Sequence, residues 1–432
     1  MPLPLPVEIV EYILDLVSPV PDPTAHLSPP YSLYSEHDVP VSAVQLSARY
    51  LFSLALVCKL WNTICTPRLY RCLAIGDSTA IDALIRTLER SQKTAAISGR
   101  TPPLGSLTRH LIIALSDSPV GDETEHSETR VVRRFGNLGR LARCLPHLQI
   151  LSTSILTQDM WGLPPPHHGK DFAASVTETS AHSLLKLHLD REPFVLFSRR
   201  ELRTLLESAP NLVAISGAGV CDSLDCPAAL PYLPKLKFLV VNNDQMRSCN
   251  RTEHENSLTP VLDHIHFRQS RPSTYSMHLL SVQGSRLTSV SLDLRLFMDS
   301  TRVCSDWLSA LTSFCHNLSY LEICIDNWSS FPRLEPPPPV DRLGVCLLIP
   351  RAGVAAICKS LATIQSSTLN VVQLMDPGMF EWFASPPADN VESAWNPLVH
   401  RAFRVVDCDG RELGPPGQSI KNGAFLGQNQ VS

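Results

Sequence analysis

No stretch of eighteen apolar residues occurs in the chain, so no membrane-spanning helix is expected. The N-terminus lacks the basic start of a secretory signal, and Glu8, Glu11 and Asp15 interrupt its apolar stretch. No Cys-x-x-Cys pair is present, which argues against a zinc ribbon or RING. The 13 cysteines are odd in number and scattered, with Cys221 and Cys226 the close pair in a loop-like stretch. Most sit among Leu, Ile and Val, where a thiol acts as a small hydrophobe, and this points to a reducing compartment, cytosol or nucleus. Charge is sparse as well, at 18% of residues with a net value of −4. That leaves no basic field for nucleic acid or an anionic membrane, and neither is expected as a partner. The densest cationic run, Arg199, Arg200 and Arg203, reads as a helix cap or solvated face.

Catalytic signatures are scarce too. There is no G-x-S-x-G elbow, P-loop, H-E-x-x-H or G-x-G-x-x-G, and Gly217-Ala218-Gly219 is a turn without the rest of a nucleotide fingerprint. His264 and His266, with Asp263 and His254 nearby, make the best metal cluster, because alternate residues of a strand share a face. A polar face on a repeat strand explains them more simply. His167 and His168 sit in a "PPPHHGK" loop. Cys58 would need a neighbouring base to act as a nucleophile, and its apolar surroundings predict burial instead. No enzyme activity, cofactor or metal is expected.

What the chain does have is 44% hydrophobic residues and 36 prolines, a large core broken by irregular connections. "LPVEIVEYILDLV" at 5–17 puts Leu5, Ile9, Ile13 and Leu16 on one helical face, with Val10, Leu14 and Val17 beside them. Residues 18–42 carry six prolines and read as an insert. Periodicity resumes near Ser47 and runs through Leu51, Leu54, Cys58, Trp61 and Cys65 as one seam, with Pro67 as the stop. A short third helix is expected over 68–74, an amphipathic helix over 77–92 with Ile81, Leu84, Ile85 and Leu88 inward, and then a linker, "SGRTPPLGS".

From Leu107 the texture becomes repetitive. "LPHLQIL", "LLKLHLD", "APNLVAI", "LPKLKFLVVN", "SRLTSVSLDL", "HNLSYLEICID" and "STLNVVQLM" each hold an anchor and an apolar residue three positions on, usually with another two further. That is L-x-x-L-x-L, an entry turn followed by a short strand. The anchors Leu148, Leu184, Leu212, Leu236, Leu287, Leu318 and Leu369 are 36, 28, 24, 51, 31 and 51 residues apart. Both gaps of 51 hold a further candidate, Leu262 and Leu343. Helix-like stretches over 131–144, 198–208, 303–315 and 352–364 precede several segments. The pattern predicts an irregular leucine-rich-repeat solenoid, a horseshoe with a parallel sheet and outer helices, in the α/β class. Candidate binding residues at the strand ends are Asn242, Asn243, Asp244, Asp326 and Asn327, which turns also favour. The expected organisation is a helical domain over 1–75, a helix and linker over 76–105, repeats over 106–375 and an irregular tail over 376–432.

"LPVEIVEYILDLV" together with "LFSLALVCKLWNTICTPRLY" resembles an F-box. Leu5, Pro6, Glu8 and Ile9 match that family's opening, and Ile13 and Leu14 its first helix. Leu54, Val57, Cys58, Lys59 and Trp61 match the second helix, and Pro67, Leu69 and Tyr70 the close. The resemblance spans about 45 residues, with the Pro-rich insert as its departure, a feature shared by F-box-like proteins of fungi. It implies docking to the Skp adaptor of a cullin–RING ubiquitin ligase, with the repeats holding an unknown substrate protein for degradation. The adaptor contacts it implies are Leu5, Pro6, Ile9, Leu54, Val57, Cys58, Trp61, Pro67 and Leu69, with Trp61 either anchoring the interface or filling the domain's own core. Otherwise the chain is a non-ligase repeat scaffold whose N-terminal helices only cap the solenoid.

Overall fold

The computed structural model describes residues 7–17, 41–76, 78–99, 101–114, 137–154, 170–190, 197–216, 231, 233–242, 262–268, 271–294, 300–325, 340–347, 358–359, 361–375, 396, 398, 401–408 and 410–413. The chain forms two units, with residues 1–238 and 250–260 in the first and 239–249 and 261–432 in the second.

The first unit opens with three helices, α1 (Val7–Val17), α2 (Val41–Ala55) and α3 (Lys59–Arg71). Strand β1 (Cys72–Ile75) follows α3 with no intervening residue. β1 pairs in parallel with β2 (His110–Ile113), β2 with β3 (Ile150–Ser154), β3 with β4 (Lys186–Asp190) and β4 with β5 (Ala214–Ser216). Helix α4 (Ser78–Ser98) links β1 to β2, and a helix over 137–143 precedes β3. The two helices are tied by Asn137 Nδ2, which donates to Asp82 Oδ1 at 2.6 Å, and by an Arg140–Glu89 ion pair at 2.7 Å. Helix α5 (Lys170–Ser180) precedes β4, and α6 (Arg199–Glu207) precedes β5. Ser198 and Glu201 form a reciprocal capping box at the start of α6, and Arg203 pairs with Glu207 one turn on, so the Arg-rich run is an ordinary solvated helix face.

Strand β6 (Phe238–Asn242) lies at the division between the units. In the second unit, β7 (His264–Arg268) pairs with β8 (Ser289–Asp293), and β8 with β9 (Tyr320–Ile325). The ladder continues through β10 (Arg342–Leu347), β11 (Val371–Leu374) and β12 (Arg404–Val406), every pairing parallel. Helices α7 (Thr274–Gln283) and α8 (Ser300–Phe314) connect β7 to β8 and β8 to β9.

The anchor frame explains this order. Leu148, Leu184, Leu212, Leu236, Leu262, Leu287, Leu318 and Leu369 each lie two residues before a strand, and all are buried. Positions three residues past the anchor are buried in one row within each unit, Leu151, Leu187 and Ile215 in the first and Ile265, Val290, Leu321 and Val372 in the second. In the second unit this is the helix side, since Phe267 of β7 stacks on Trp307 of α8 with ring centroids 4.3 Å apart. The residue before the anchor has a job of its own. Asn211 Nδ2 donates to the His182 carbonyl and Asn317 Nδ2 to the Ser285 carbonyl, each at 2.6 Å. Both carbonyls belong to the preceding repeat, two residues before its anchor. The Pro/His-Asn-Leu junctions of the sequence are therefore inter-repeat hydrogen bonds that satisfy turn carbonyls.

Several expectations are corrected. Leu343 is not an anchor. It sits inside β10 in register with Leu321, and Val340 holds the anchor place. Pro67 does not stop its helix but lies within α3, since a proline removes one hydrogen bond without ending a helix held by packing on both sides of it. The region read as a third helix over 68–74 is the end of α3 followed by β1, so the ladder starts well before Leu107. The "SGRTPPLGS" stretch is no loose linker. Gly99 closes α4 with φ +59°, and Gly105 is buried in a 3₁₀ turn (Leu104–Leu107). The insert over 18–40 and most of the tail lie outside the described residues.

Candidate partner-binding surface

Helices α1 to α3 pack around a small core of Val10, Leu14, Leu51, Ala55 and Cys65, with Leu54, Trp61, Ile64 and Leu69 half-buried against it. On α1 the inward stripe is Val10 and Leu14, while Ile9, Tyr12 and Ile13 point to solvent at three- and four-residue spacing. On α2, Leu46, Tyr50 and Phe52 are exposed. α2 then ends in a turn at Leu56–Val57, where the Asn62 side chain donates to the Ala55 carbonyl at 3.3 Å. The turn lifts Leu56 and Val57 outward to 70% and 66% exposure, and Leu60 follows on α3. Among the described residues, every exposed large apolar side chain except Ile97 and Val282 lies between Ile9 and Leu60. This concentration on one small helical unit makes it the candidate partner-binding surface.

The other side of these helices is occupied. α2 packs on β1, and α3 packs on both β1 and the 3₁₀ turn at Leu104–Leu107. The helical unit thus covers the first strand of the ladder and still leaves several large apolar side chains uncovered.

The break at Leu56–Val57 also corrects the single-seam reading. Cys58 is the residue before α3, in extended conformation with φ −162°, and its thiol is exposed rather than buried. Of the residues singled out on the F-box pattern, Ile9, Val57, Cys58 and Pro67 are exposed, and Leu54, Trp61 and Leu69 are half-buried. Leu5 and Pro6 lie outside the described residues. Trp61 packs against the helical core while keeping part of its surface in solvent.

The sheet face turned away from the core row differs between the units. In the first unit, Ser152, Lys186, His188 and Ser216 are half-exposed while His110, Ile112, Ile150 and Ala214 of the same face are buried, and His188 Nδ1 meets Ser216 Oγ at 2.6 Å. In the second unit most of the same face is buried although it is polar, with Arg268 and Arg342 half-exposed at its margin. It carries His264, His266, Ser289, Ser291, Asp293, Glu322 and Gln373. His264 Nδ1 meets Ser289 Oγ at 2.7 Å, and Ser291 donates to Glu322 Oε2 at 2.9 Å. Burial pulls the His264 imidazole down to about 3, so it is neutral at ordinary pH. The two histidines thus stand on one strand face as expected, and both are buried. Among the described residues no group of three or more His, Cys, Asp or Glu is placed to hold a metal ion, and no helix is long and apolar enough to cross a membrane. Asn242 ends β6, while Asn243, Asp244, Asp326, Asn327, His167, His168, Gly217, Cys221 and Cys226 lie outside the described residues.

No family model matches the chain, and no curated protein matches it. Among solved structures, it is similar to the leucine-rich repeat-containing protein LegL7 from Legionella pneumophila. The identity is 16%, the match covers 68% of this chain and 92% of LegL7, and the TM-score is 0.41.

Proposed function

We propose that the chain is the substrate-recruiting subunit of a Skp–cullin–F-box ubiquitin ligase. One observation carries the reading. The exposed apolar side chains gather along the stretch that carries the F-box pattern, among them Ile9 on α1, Leu56 and Val57 in the turn after α2 and Leu60 on α3. The adaptor occupies this face, and the repeats hold a target protein. Half-exposed polar positions on the first unit's sheet, Ser152, Lys186, His188 and Ser216, favour that face for the target, because most of its counterpart in the second unit is buried. The chain supplies no reacting group in this mechanism. It raises the effective concentration of the target near the charged conjugating enzyme.

The direct test is capture of the full-length chain by a purified Skp adaptor. Wild type binds, and Leu56→Asp with Val57→Asp abolishes capture while leaving the unfolding transition in place. No capture of wild type, or equal capture of the double variant, sinks the reading.

The alternative is a non-ligase scaffold whose helices only cap the ladder, and the packing of α2 and α3 on β1 favours it specifically. It predicts that Leu56→Asp with Val57→Asp changes no interaction of the protein.

A further inference from the structure

Three adjacent strands of the second unit bring sulfur side chains into one row. Cys324 of β9 is the register partner of Cys346 of β10. Met375 follows in the same row, one residue past the Val345–Leu374 pair, and its N–H donates to the Val345 carbonyl at 2.8 Å. Both side chains stand on the same face of the ladder, next to each other across the β9–β10 register. Cys324, Cys346 and Met375 are 0%, 1% and 2% exposed. Tyr320 roofs the neighbouring position. Its hydroxyl donates to Met375 Sδ at 3.8 Å, and a Cβ on Gly344 would lie 2.5 Å from that oxygen, so the phenol crosses β10 where β10 has no side chain.

Thiols are often no more than small apolar groups, and the geometry decides what this pair can additionally do. Register partners on parallel strands stand about 4.8 Å apart. A metal ion between two sulfurs spans up to about 4.6 Å at a metal–sulfur bond of about 2.3 Å, which matches the strand spacing. Zinc favours four N, O or S ligands, and no third His, Cys, Asp or Glu among the described residues is placed to join this pair. Two thiols and a thioether are the soft donors that select Cu(I).

We propose that Cys324, Cys346 and Met375 form a buried Cu(I) site. Both thiol protons leave to solvent as two copper–sulfur bonds form, no electron is transferred, and the neutral Met375 thioether supplies a third donor. Burial is the main reason the Cys324 thiol holds its proton tightly, and the Glu322 and Asp293 carboxylates add to it. The copper–sulfur bond must therefore displace that proton rather than find a thiolate waiting.

The test is anaerobic titration of the full-length protein with Cu(I) against the chelator bicinchoninate, followed by alkylation mapping. Wild type retains one Cu(I) per chain, and copper slows alkylation of Cys324 and Cys346 but not of the equally buried Cys304 and Cys315. Cys324→Ser with Cys346→Ser removes that equivalent. Met375→Leu, which conserves volume, weakens retention by at least about 10-fold with its melting transition unchanged. If the cysteine variant fails to fold, the wild-type alkylation map and Met375→Leu still decide. No retained copper, protection at other cysteines such as the exposed Cys58, or unchanged affinity in Met375→Leu overturns the site.

Discussion

Gly344→Ala probes the packing of the second unit's sheet with a single added methyl group. The new Cβ would stand 2.5 Å from Tyr320 Oη, 3.2 Å from Tyr320 Cζ and 3.3 Å from Glu322 Cγ. The first distance is far inside contact, so the phenol must swing away, and in doing so it loses its bond to Met375 Sδ at 3.8 Å. Tyr320 is 3% exposed and Glu322 0%, so neither has open space to retreat into. Overpacking of this kind costs about 1–3 kcal/mol. Removing a glycine from the unfolded chain returns about 0.4–1 kcal/mol. The net expectation is a loss of about 1–2 kcal/mol, read as a lower urea midpoint at constant slope. Tyr320→Phe removes the oxygen at the closest approach, so the double variant should recover about 1 kcal/mol relative to additivity. A Gly344→Ala protein within about 0.5 kcal/mol of wild type, or strict additivity with Tyr320→Phe, would show that the phenol does not lie where the structure places it.

Gly105→Ala should be far worse, because its Cβ would fall 1.9 Å from the Cys144 carbonyl oxygen, a backbone atom; the expected result is loss of soluble protein or of the cooperative transition on thermal melting. Trp307→Ala empties a fully buried site stacked on Phe267 and should cost about 3–5 kcal/mol by chemical denaturation. His264, pulled down to about 3 by burial, binds its proton less readily in the folded than in the unfolded chain, whose imidazole titrates near 6.5. Its contribution is complete above that unfolded value and fades as pH falls from there toward about 3, by up to about 1.4 kcal/mol per pH unit. Stability of His264→Gln, measured against wild type from pH 7 to 4, should show a shallower acid decline, and parallel curves would count against the assignment.

The repeats were legible because their signal is local. An anchor leucine, an apolar residue three positions later and another two beyond mark each repeat, and the anchors Leu148 through Leu369 are buried. Where the anchor is not leucine, the frame slips. Val340 hides the start of β10 from a search for leucines, and fully buried Thr108 holds the corresponding place before β2. The N-terminal helices misled for a different reason. Leu51, Leu54, Cys58, Trp61 and Cys65 keep helical spacing across a turn, and spacing alone cannot reveal that the chain stops and restarts at Leu56–Val57. Nor does the alternation of His264, His266 and Arg268 say whether that strand face meets water or protein, since burial of a sheet face depends on what covers it. The apolar character of residues 9–60 was readable, but which side of each helix stays uncovered depends on β1, and β1 was itself read as helix.

That α3 runs into β1 without a spare residue has a mechanical consequence. A flexible joint would let anything held by the helices tumble independently of the first strands. Here the Arg71 carbonyl accepts from the Arg109 N–H at 2.9 Å at the moment the helix ends, so helix and sheet turn as one lever. A molecule gripped at Leu56 and Val57 would be aimed at a constant angle to the first unit's strands, and shifting that angle would take a remodelled core rather than a pivot.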